Sequence, residues 1–503
     1  MLEVLVELDR SRPGLADQLT CALRAAISDG RLAAGLRLPS TRDLAAELTL
    51  SRGVVVEAYE QLTAEGWLLA RRGAGTMVAG ASPGPRGVPP GVVGTPRGAA
   101  RPLPTQSGPG APLEAPPGTG TVAVLRPGVP DLAMFPRADW RRAYERALHT
   151  ARDVDLDYGD PRGSPRLRSE LSSYLGRVRA ARIDPDQLFV TTGAAQAFGL
   201  LAGALRQRGV ATVGIEEPGS PGIRGHLTEH GLRLVPVPVD DDGLDVGALA
   251  TSGVGAVLVT PAHQFPTGVV LAPRRRHELL DWARHTGGLI IEDDYDAEFR
   301  YDRDPVGCLQ GLAPDLVAHI GSVSKALVPG MRLGWLGVPP DLRRPVLAGK
   351  AAADLGGPVL EQLAFAELLA SGGYDRHLRR SRQVYRRRRD ALIGAIGRHL
   401  PQSRVTGIAA GLHLVLRLPP GVDDAALAAA AARAGQGPVP LSATRIGPPP
   451  AGRQDAAPTT TAEPGLVLGY AAHSPDELVS AVRLLAALMA PTRTAKAAVP
   501  ARA

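Results

Sequence analysis

Residues from about 80 to 120 are dominated by Pro, Gly and Ala, with few large apolar side chains among them. Such a stretch cannot bury enough surface to offset the entropy of ordering it. It reads as a flexible or partly polyproline linker. A chain interrupted in this way must build a core on each side. The expected division is therefore a small unit over about 13–79, the linker over 80–120, a large unit over 121–490 and a disordered tail over 491–503. Bulk properties fit cytoplasmic globular units. The net charge of +7 is modest for 503 residues, so any nucleic-acid binding must come from placed charges rather than from bulk charge. Cys21 and Cys308 are the only cysteines, which implies no disulfide framework. No apolar run is long enough to span a bilayer, and the first residues lack a signal-peptide core, so no membrane partner is expected.

In the first unit, Leu15, Leu19, Leu23, Ala26 and Ile27 recur at helical spacing and Gly30 stops the helix. Ser40, with Asp43 three residues on, caps a second helix bearing Leu44, Ala45 and Leu48. Ser51 caps a third, which runs through Val54, Val55, Ala58, Tyr59 and Leu62 to Gly66. Trp67 to Leu69 and Thr76 to Val78 read as a hairpin around Arg71-Arg72-Gly73-Ala74-Gly75. Three helices and a hairpin make a winged helix-turn-helix. The third helix would enter the major groove of double-stranded DNA and the wing would lie on the backbone or minor groove. Ser40, Thr41, Arg42, Ser51 and Arg52 stand at the two helix starts, and Arg71, Arg72 and Gly75 stand in the wing. These are the expected DNA contacts; the competing reading is a helical dimerisation or packing domain.

The large unit alternates short β-branched runs with Ala/Leu/Arg helices. The runs are 188–190, 212–215, 234–239, 256–259, 289–291 and 318–320. That pattern argues an α/β fold with a largely parallel sheet, whose ligands bind in the loops beyond the strand ends. The chain has three lysines, at 325, 350 and 496, and arginine supplies nearly all its other positive charge. Lys325 lies in Gly321-Ser322-Val323-Ser324-Lys325-Ala326-Leu327, with Arg332 seven residues later. Guanidinium effectively never deprotonates, so arginine cannot replace a lysine needed as a free amine. A lysine among hydroxyls near an arginine suits a Schiff base with pyridoxal 5'-phosphate (PLP); it also suits a surface turn. Thr191-Thr192-Gly193-Ala194-Ala195-Gln196 joins a strand to a helix whose free N–H groups could hold a phosphate. Glu292-Asp293-Asp294-Tyr295-Asp296 follows another strand and offers a carboxylate for a pyridinium nitrogen and a phenol for the ring oxygen. A transition metal is not expected there, because no His or Cys lies close in sequence. The run Arg376 to Arg389 reads as a charged helix packing through Leu378, Tyr385 and Leu392.

Two sets of motifs carry a resemblance. Leu38-Pro39-Ser40-Thr41-Arg42-Asp43-Leu44-Ala45, Leu50-Ser51-Arg52, Ala58-Tyr59-Glu60-Gln61-Leu62 and Glu65-Gly66-Trp67 resemble the DNA-binding domain of GntR-family regulators. Gly53 departs from that family's frequent polar residue. Tyr158-Gly159-Asp160-Pro161-Arg162-Gly163, Glu217-Pro218-Gly219-Ser220, Thr260-Pro261-Ala262-His263-Gln264-Phe265-Pro266-Thr267-Gly268, the acidic run and Ser322-Val323-Ser324-Lys325 resemble fold-type I PLP enzymes of the aspartate aminotransferase class. Together they resemble the MocR subfamily of GntR regulators.

The resemblance implies a homodimeric, PLP-binding transcriptional regulator that senses PLP, an amine or an amino acid. The alternative is a PLP-dependent aminotransferase with an accessory DNA-binding domain. It also implies roles. Lys325 would carry PLP, Asp293 (or its neighbour Asp294) would pair with the pyridine nitrogen, and Tyr295 would bond the ring oxygen. Ser322, Ser324, Arg332 and the Gly193, Ala194 and Ala195 backbone would bind phosphate. Two positions depart from these patterns: Ser220 stands where many MocR proteins place a ring-stacking Tyr, and Val467 stands where aminotransferases keep the arginine that clamps a substrate carboxylate.

Overall fold

The computed structural model describes residues 8–10, 14–71, 75–79, 122–301, 306–446 and 463–489. The expected linker, the tail, Arg72 and most of the glycine-, proline- and threonine-rich stretch before 465 lie outside them.

The first unit contains α1 (Leu15–Ser28), α2 (Thr41–Glu47) and α3 (Arg52–Glu65), followed by an antiparallel hairpin of β1 (Leu68–Arg71) and β2 (Gly75–Val78). The hairpin begins one residue later than the apolar pattern suggests, because Trp67 serves to close α3. Ser40 accepts from the Asp43 N–H and Ser51 from the Val54 N–H, which satisfies donors that a helix start leaves free. Gly66 ends α3 at φ 87°, a left-handed conformation that suits glycine. Leu19, Leu23, Leu44, Val55, Leu62, Trp67 and Leu68 form the core.

The large unit is built on an eight-stranded sheet: β3 (Leu188–Thr191), β4 (Thr212–Glu217), β5 (Arg233–Asp240), β6 (Gly243–Leu244), β7 (Ala256–Val259), β8 (Leu289–Asp293), β9 (Val317–Ser322) and β10 (Gly334–Gly337). Their spatial order is β3-β10-β9-β8-β7-β4-β5-β6. β4, β5, β7, β8 and β9 run parallel, whereas β10 is antiparallel to both neighbours. Alternation along the strands feeds two cores. Ala256, Leu258, Leu289, Ile291 and Ile320 pack with Phe198, Leu201 and Leu205 on one face. Val257, Val259, Ile290 and Val317 pack with Leu279, Leu280 and Trp282 on the other. A sheet covered on both faces explains why its strands read as continuous apolar runs.

A smaller antiparallel sheet follows: β11 (Arg404–Thr406), β12 (His413–Arg417), β13 (Val439–Pro440) and β14 (Gly465–Gly469), in the order β11-β12-β14-β13. Leu414, Leu416, Leu466 and Leu468 meet the helices Gly373–His399 and Pro475–Met489. The opposite face presents Val415, Val439 and Val467, with Phe265 of the large sheet's loops against them. The arginine-rich run lies on the 27-residue helix Gly373–His399, where Leu378, Tyr385 and Leu392 are buried.

The end of α3 seats on the large unit. The His277 Nε2 meets the Gly66 carbonyl oxygen at 2.8 Å, and Leu312 packs against the apolar clusters of both units. Glu65, nearly inaccessible, takes a bidentate bond from Arg24 and lies against Gly307, where an added Cβ would come within 3.2 Å of its carboxyl. Among the described residues no helix is long and apolar enough to cross a membrane.

Candidate functional site

Five loops at the C-terminal ends of parallel-running strands converge, as the fold type requires. They follow β3 (Thr192–Ala195), β4 (Pro218–Ser220), β7 (Thr260–Thr267), β8 (Asp294–Asp296) and β9 (Val323–Lys325). Lys325 is partly buried, and its Nζ donates to the Gly128 carbonyl at 2.5 Å. Burial lowers its pKa, Asp296 and Asp293 push back, and Arg126 adds to the lowering. An amine held below the usual lysine range is more often free base, the form that attacks an aldehyde.

Asp293 ends β8, beside Ile320 of β9. Burial raises its carboxyl to about 7, helped by Asp294 and Asp296. No described residue forms a hydrogen bond with it. Asp294 differs. Arg179 Nε and Nη2 donate to it at 2.7 and 2.9 Å in a buried bidentate pair. Burial acts to raise its pKa, but Arg179 and His319 more than offset this and leave it below the ordinary carboxylate range. The two neighbours therefore separate: Asp294 is committed to structure, and Asp293 carries a carboxyl with an unmet demand for a cation or proton.

Tyr295 donates its phenol proton to the His263 carbonyl at 2.9 Å. At the other end of the site, Gly193 precedes the helix Ala194–Gln207 with φ 82° and ψ 174°, a region open to glycine alone. A Cβ there would meet Arg332 Nη2 at 2.8 Å, so glycine lets the guanidinium close over the helix start. Arg332, itself left-handed at φ 49°, donates to the Thr192 carbonyl at 2.7 Å and remains exposed. Ser322 pairs with Gly334 across the sheet, and its Oγ accepts from the Ser324 N–H at 3.4 Å. Free helix N–H groups, hydroxyls and a guanidinium make an anion cradle. A lysine, a demanding carboxyl, a phenol and this cradle fit PLP: aldehyde, pyridine nitrogen, ring oxygen and phosphate each find a group of suitable chemistry.

Sequence reasoning missed several neighbours. His263 Nδ1 lies 3.0 Å from Asp296, and the His263 and His413 rings are 4.9 Å apart. Burial, then His263, lowers the pKa of His413 to about 3, so it is a neutral ring. Glu216 accepts from the Thr260 N–H and hydroxyl and from Gln264, yet burial still raises it to about 7. The reason given above for setting metals aside does not hold. The fold brings His263 and His413 to Asp296, and Cys308 and His319 to Glu292, with ligating atoms within 4.8 Å in each group. Adjacent strands join residues that are far apart in sequence. Both carboxylates already have partners in His263 and in the Leu309 and Gln310 N–H groups. Ser220, which the resemblance sets at the stacking position, caps the helix Pro221–Glu229 by accepting from the Ile223 N–H. Val467 is wholly buried among Val415, Val439 and Leu441.

The residues expected to touch DNA form a separate group. Ser40, Arg42, Ser51 and Arg52 are exposed at the starts of α2 and α3, and Thr41 is half-buried. Neither Arg42 nor Arg52 is paired with a described carboxylate. Arg71 lies on β1 and Gly75 opens β2 at φ 83°; Arg37, absent from the sequence reading, lies against Gly75.

Comparison with known proteins fits this geometry. Residues 15–78 match the family model described as bacterial regulatory proteins, gntR family, and residues 128–442 match aminotransferase class I and II. The chain is 34% identical to the HTH-type pyridoxine biosynthesis transcriptional regulator PdxR of Corynebacterium glutamicum, over 92% of this chain and 93% of that protein. It is 32% identical to the probable rhizopine catabolism regulatory protein MocR of Rhizobium meliloti, over 93% and 92% respectively. Among solved structures, the kynurenine aminotransferase of Pyrococcus horikoshii in complex with PMP aligns with TM-score 0.64 and 25% identity, covering 74% of this chain and 91% of that one.

Proposed function

Since this chain belongs to the MocR subfamily of GntR-family transcriptional regulators, with PLP as the cofactor of its aminotransferase-like unit, we propose that it adjusts its grip on an operator in response to PLP or to an amine or amino acid. The observation that carries this reading is the division of labour between Asp293 and Asp294, which leaves one carboxyl free for a pyridine nitrogen beside a lysine of lowered pKa. PLP supplies a reactive aldehyde and an electron-withdrawing ring. Lys325 would provide the amine that attaches it. Asp293 would pair with the pyridine nitrogen, the Tyr295 hydroxyl would bond the ring oxygen, and Ser322, Ser324, Arg332 and the Gly193–Ala195 backbone would hold the phosphate.

A route from site to DNA-binding unit supports coupling. Arg179, paired to Asp294, also donates to the Val306 carbonyl. Glu292, beside Asp293, accepts from the Leu309 and Gln310 N–H groups. The segment so held carries Gly307 and Leu312, the residues against which α3 rests. A ligand that draws on Asp293 therefore acts on the strand end that fixes the seat of the winged helix. It regulates only if its affinity differs between the seated and released arrangements.

Control of vitamin B6 synthesis, or of amine or amino-acid metabolism, is the proposed role. Turnover as a general aminotransferase is disfavoured, because the strand position of the carboxylate clamp is the buried Val467. A homodimer is also proposed. Leu148, Val154, Leu156, Tyr158 and Leu355 are exposed, and a cleft of about 440 Å³ lies beside them, lined in part by Tyr158, Gly159 and Asp160. The test is DNA affinity, measured by anisotropy on duplexes selected from a random pool, with and without PLP. A severalfold change that Lys325→Ala abolishes is expected; equal affinities in all four conditions would overturn the sensing reading.

A further inference from the structure

The small sheet turns one face into the site. His413 and Val415 on β12 share a face, because side chains alternate along a strand. Val467 and Gly469 on β14 lie opposite Val415 and His413 respectively. The His413 ring meets both His263 and Phe265, so this is the face that looks towards the lysine. Nearest the site its strand residues offer apolar valines and a neutral imidazole; the next residue on this face, Arg417, lies at the far end of β12 and donates to the Glu463 carbonyl at 3.4 Å.

The charge comes from elsewhere in the chain. The segment Ala123–Gly128 crosses the end of this sheet. Leu125 accepts from the Gly469 N–H at 2.8 Å, and Val124 accepts from the Gly437 N–H at 2.7 Å. A Cβ at Gly469 would lie 2.0 Å from the Arg126 carbonyl oxygen, and one at Gly437 would lie 3.1 Å from the Arg126 Cβ. Glycine is required at 469 for this crossing, and the direction of its missing Cβ puts Arg126 on the Val467 side of the strand. Two residues later, Gly128 is the carbonyl that holds Lys325 Nζ at 2.5 Å, and the Arg126 charge is felt at Lys325. Arg126 is half-buried, and its guanidinium forms no hydrogen bond or ion pair with another described residue. Arg224, the nearby alternative, is occupied by the Ala443 and Thr444 carbonyls and by Glu217.

We infer that Arg126 recognises the anionic group of the effector, and that the effector is therefore a primary amine bearing a carboxylate, with its amine at Lys325 and its carboxylate at Arg126. The inference rests on the reading of Lys325 as the cofactor lysine. The recognition charge stands on the crossing segment, not on β14.

The test uses the full chain loaded with PLP. Its near-visible absorbance is followed while glycine, β-alanine, 4-aminobutanoate and 5-aminopentanoate are titrated beside alkylamines of matched length. At one chain length the amino acid should bind tighter than the alkylamine by on the order of tenfold to a hundredfold, the range for a charge-assisted pair. Arg126→Gln should bring that ratio close to one and leave the alkylamine affinity unchanged; Arg126→Lys should keep part of it. Equal binding of acids and alkylamines by the wild type, or an unchanged ratio in Arg126→Gln, overturns the inference. Loss of the PLP band in Arg126→Gln also overturns it, by assigning Arg126 to the cofactor. Lack of a PLP band in the wild type, seen before any amine is added, refutes the cofactor reading instead.

Discussion

Asp293 and Asp294 are chemically identical neighbours in opposite environments, and replacing each by Asn should have opposite effects. In the PLP-free protein at pH 8, the Asp293 carboxylate is ionised in a buried site that holds its pKa near 7 instead of 3.8. A group with a raised folded pKa binds more protons folded than unfolded, so its contribution is favourable below about 4 and is lost as pH rises through 7. Asp293→Asn removes that burden, with an upper bound of about 4 kcal/mol. At roughly 2 °C per kcal/mol for a unit of this size, the transition of the large unit should rise by up to about 8 °C at pH 8, and by little at pH 4.5. Asp294→Asn does the reverse. It leaves the Arg179 guanidinium, 2% exposed, without its carboxylate. Breaking such a pair costs about 3–5 kcal/mol, a fall of roughly 6–10 °C at either pH. With saturating PLP the Asp293→Asn gain should vanish, because the wild type recovers a pyridinium partner and the variant does not. Differential scanning calorimetry at two pH values, with and without PLP, reads all of this. If both variants destabilise equally, or if Asp293→Asn is stabilised equally with and without PLP, the assignment of the two carboxyls is wrong.

Other expectations follow from the same geometry. Arg52→Gln should weaken DNA binding across sequences and reduce the slope of log affinity against log salt by about 1, since it removes one phosphate contact; an unchanged slope would place Arg52 off the DNA. Ser51→Ala removes the cap of α3 and should cost about 1 kcal/mol in the melting of the small unit. Leu156→Glu with Tyr158→Ser should give monomers by sedimentation if the exposed patch is the dimer surface, and unchanged dimers would place the interface elsewhere.

The sequence exposed those parts of the molecule whose cause is local. Ser40, Ser51 and Gly66 mark helix ends because the side chain or backbone at one position satisfies the groups next to it. The strands 256–259 and 289–293 stand out because both faces are buried. What stayed hidden depends on distant pairing. β10 is four residues that begin and end on glycine, and its strand character comes from lying between β3 and β9. Nothing near Arg179 announces that it will neutralise Asp294, 115 positions away, and no local signal joins His263 to His413. Metal ligation was set aside for the acidic run on sequence distance, which a parallel sheet does not respect. Arg126 was invisible for the same reason: its meaning comes from a crossing over Gly469, at the other end of the chain.

The central claim is a working PLP site on Lys325 in a DNA-binding chain. The most direct test is the absorption spectrum of the purified full-length protein titrated with PLP, beside Lys325→Ala. A near-visible band that saturates at one PLP per chain and is missing in Lys325→Ala is the expected result. No band in the wild type at saturating PLP, or the same band in Lys325→Ala, would contradict it.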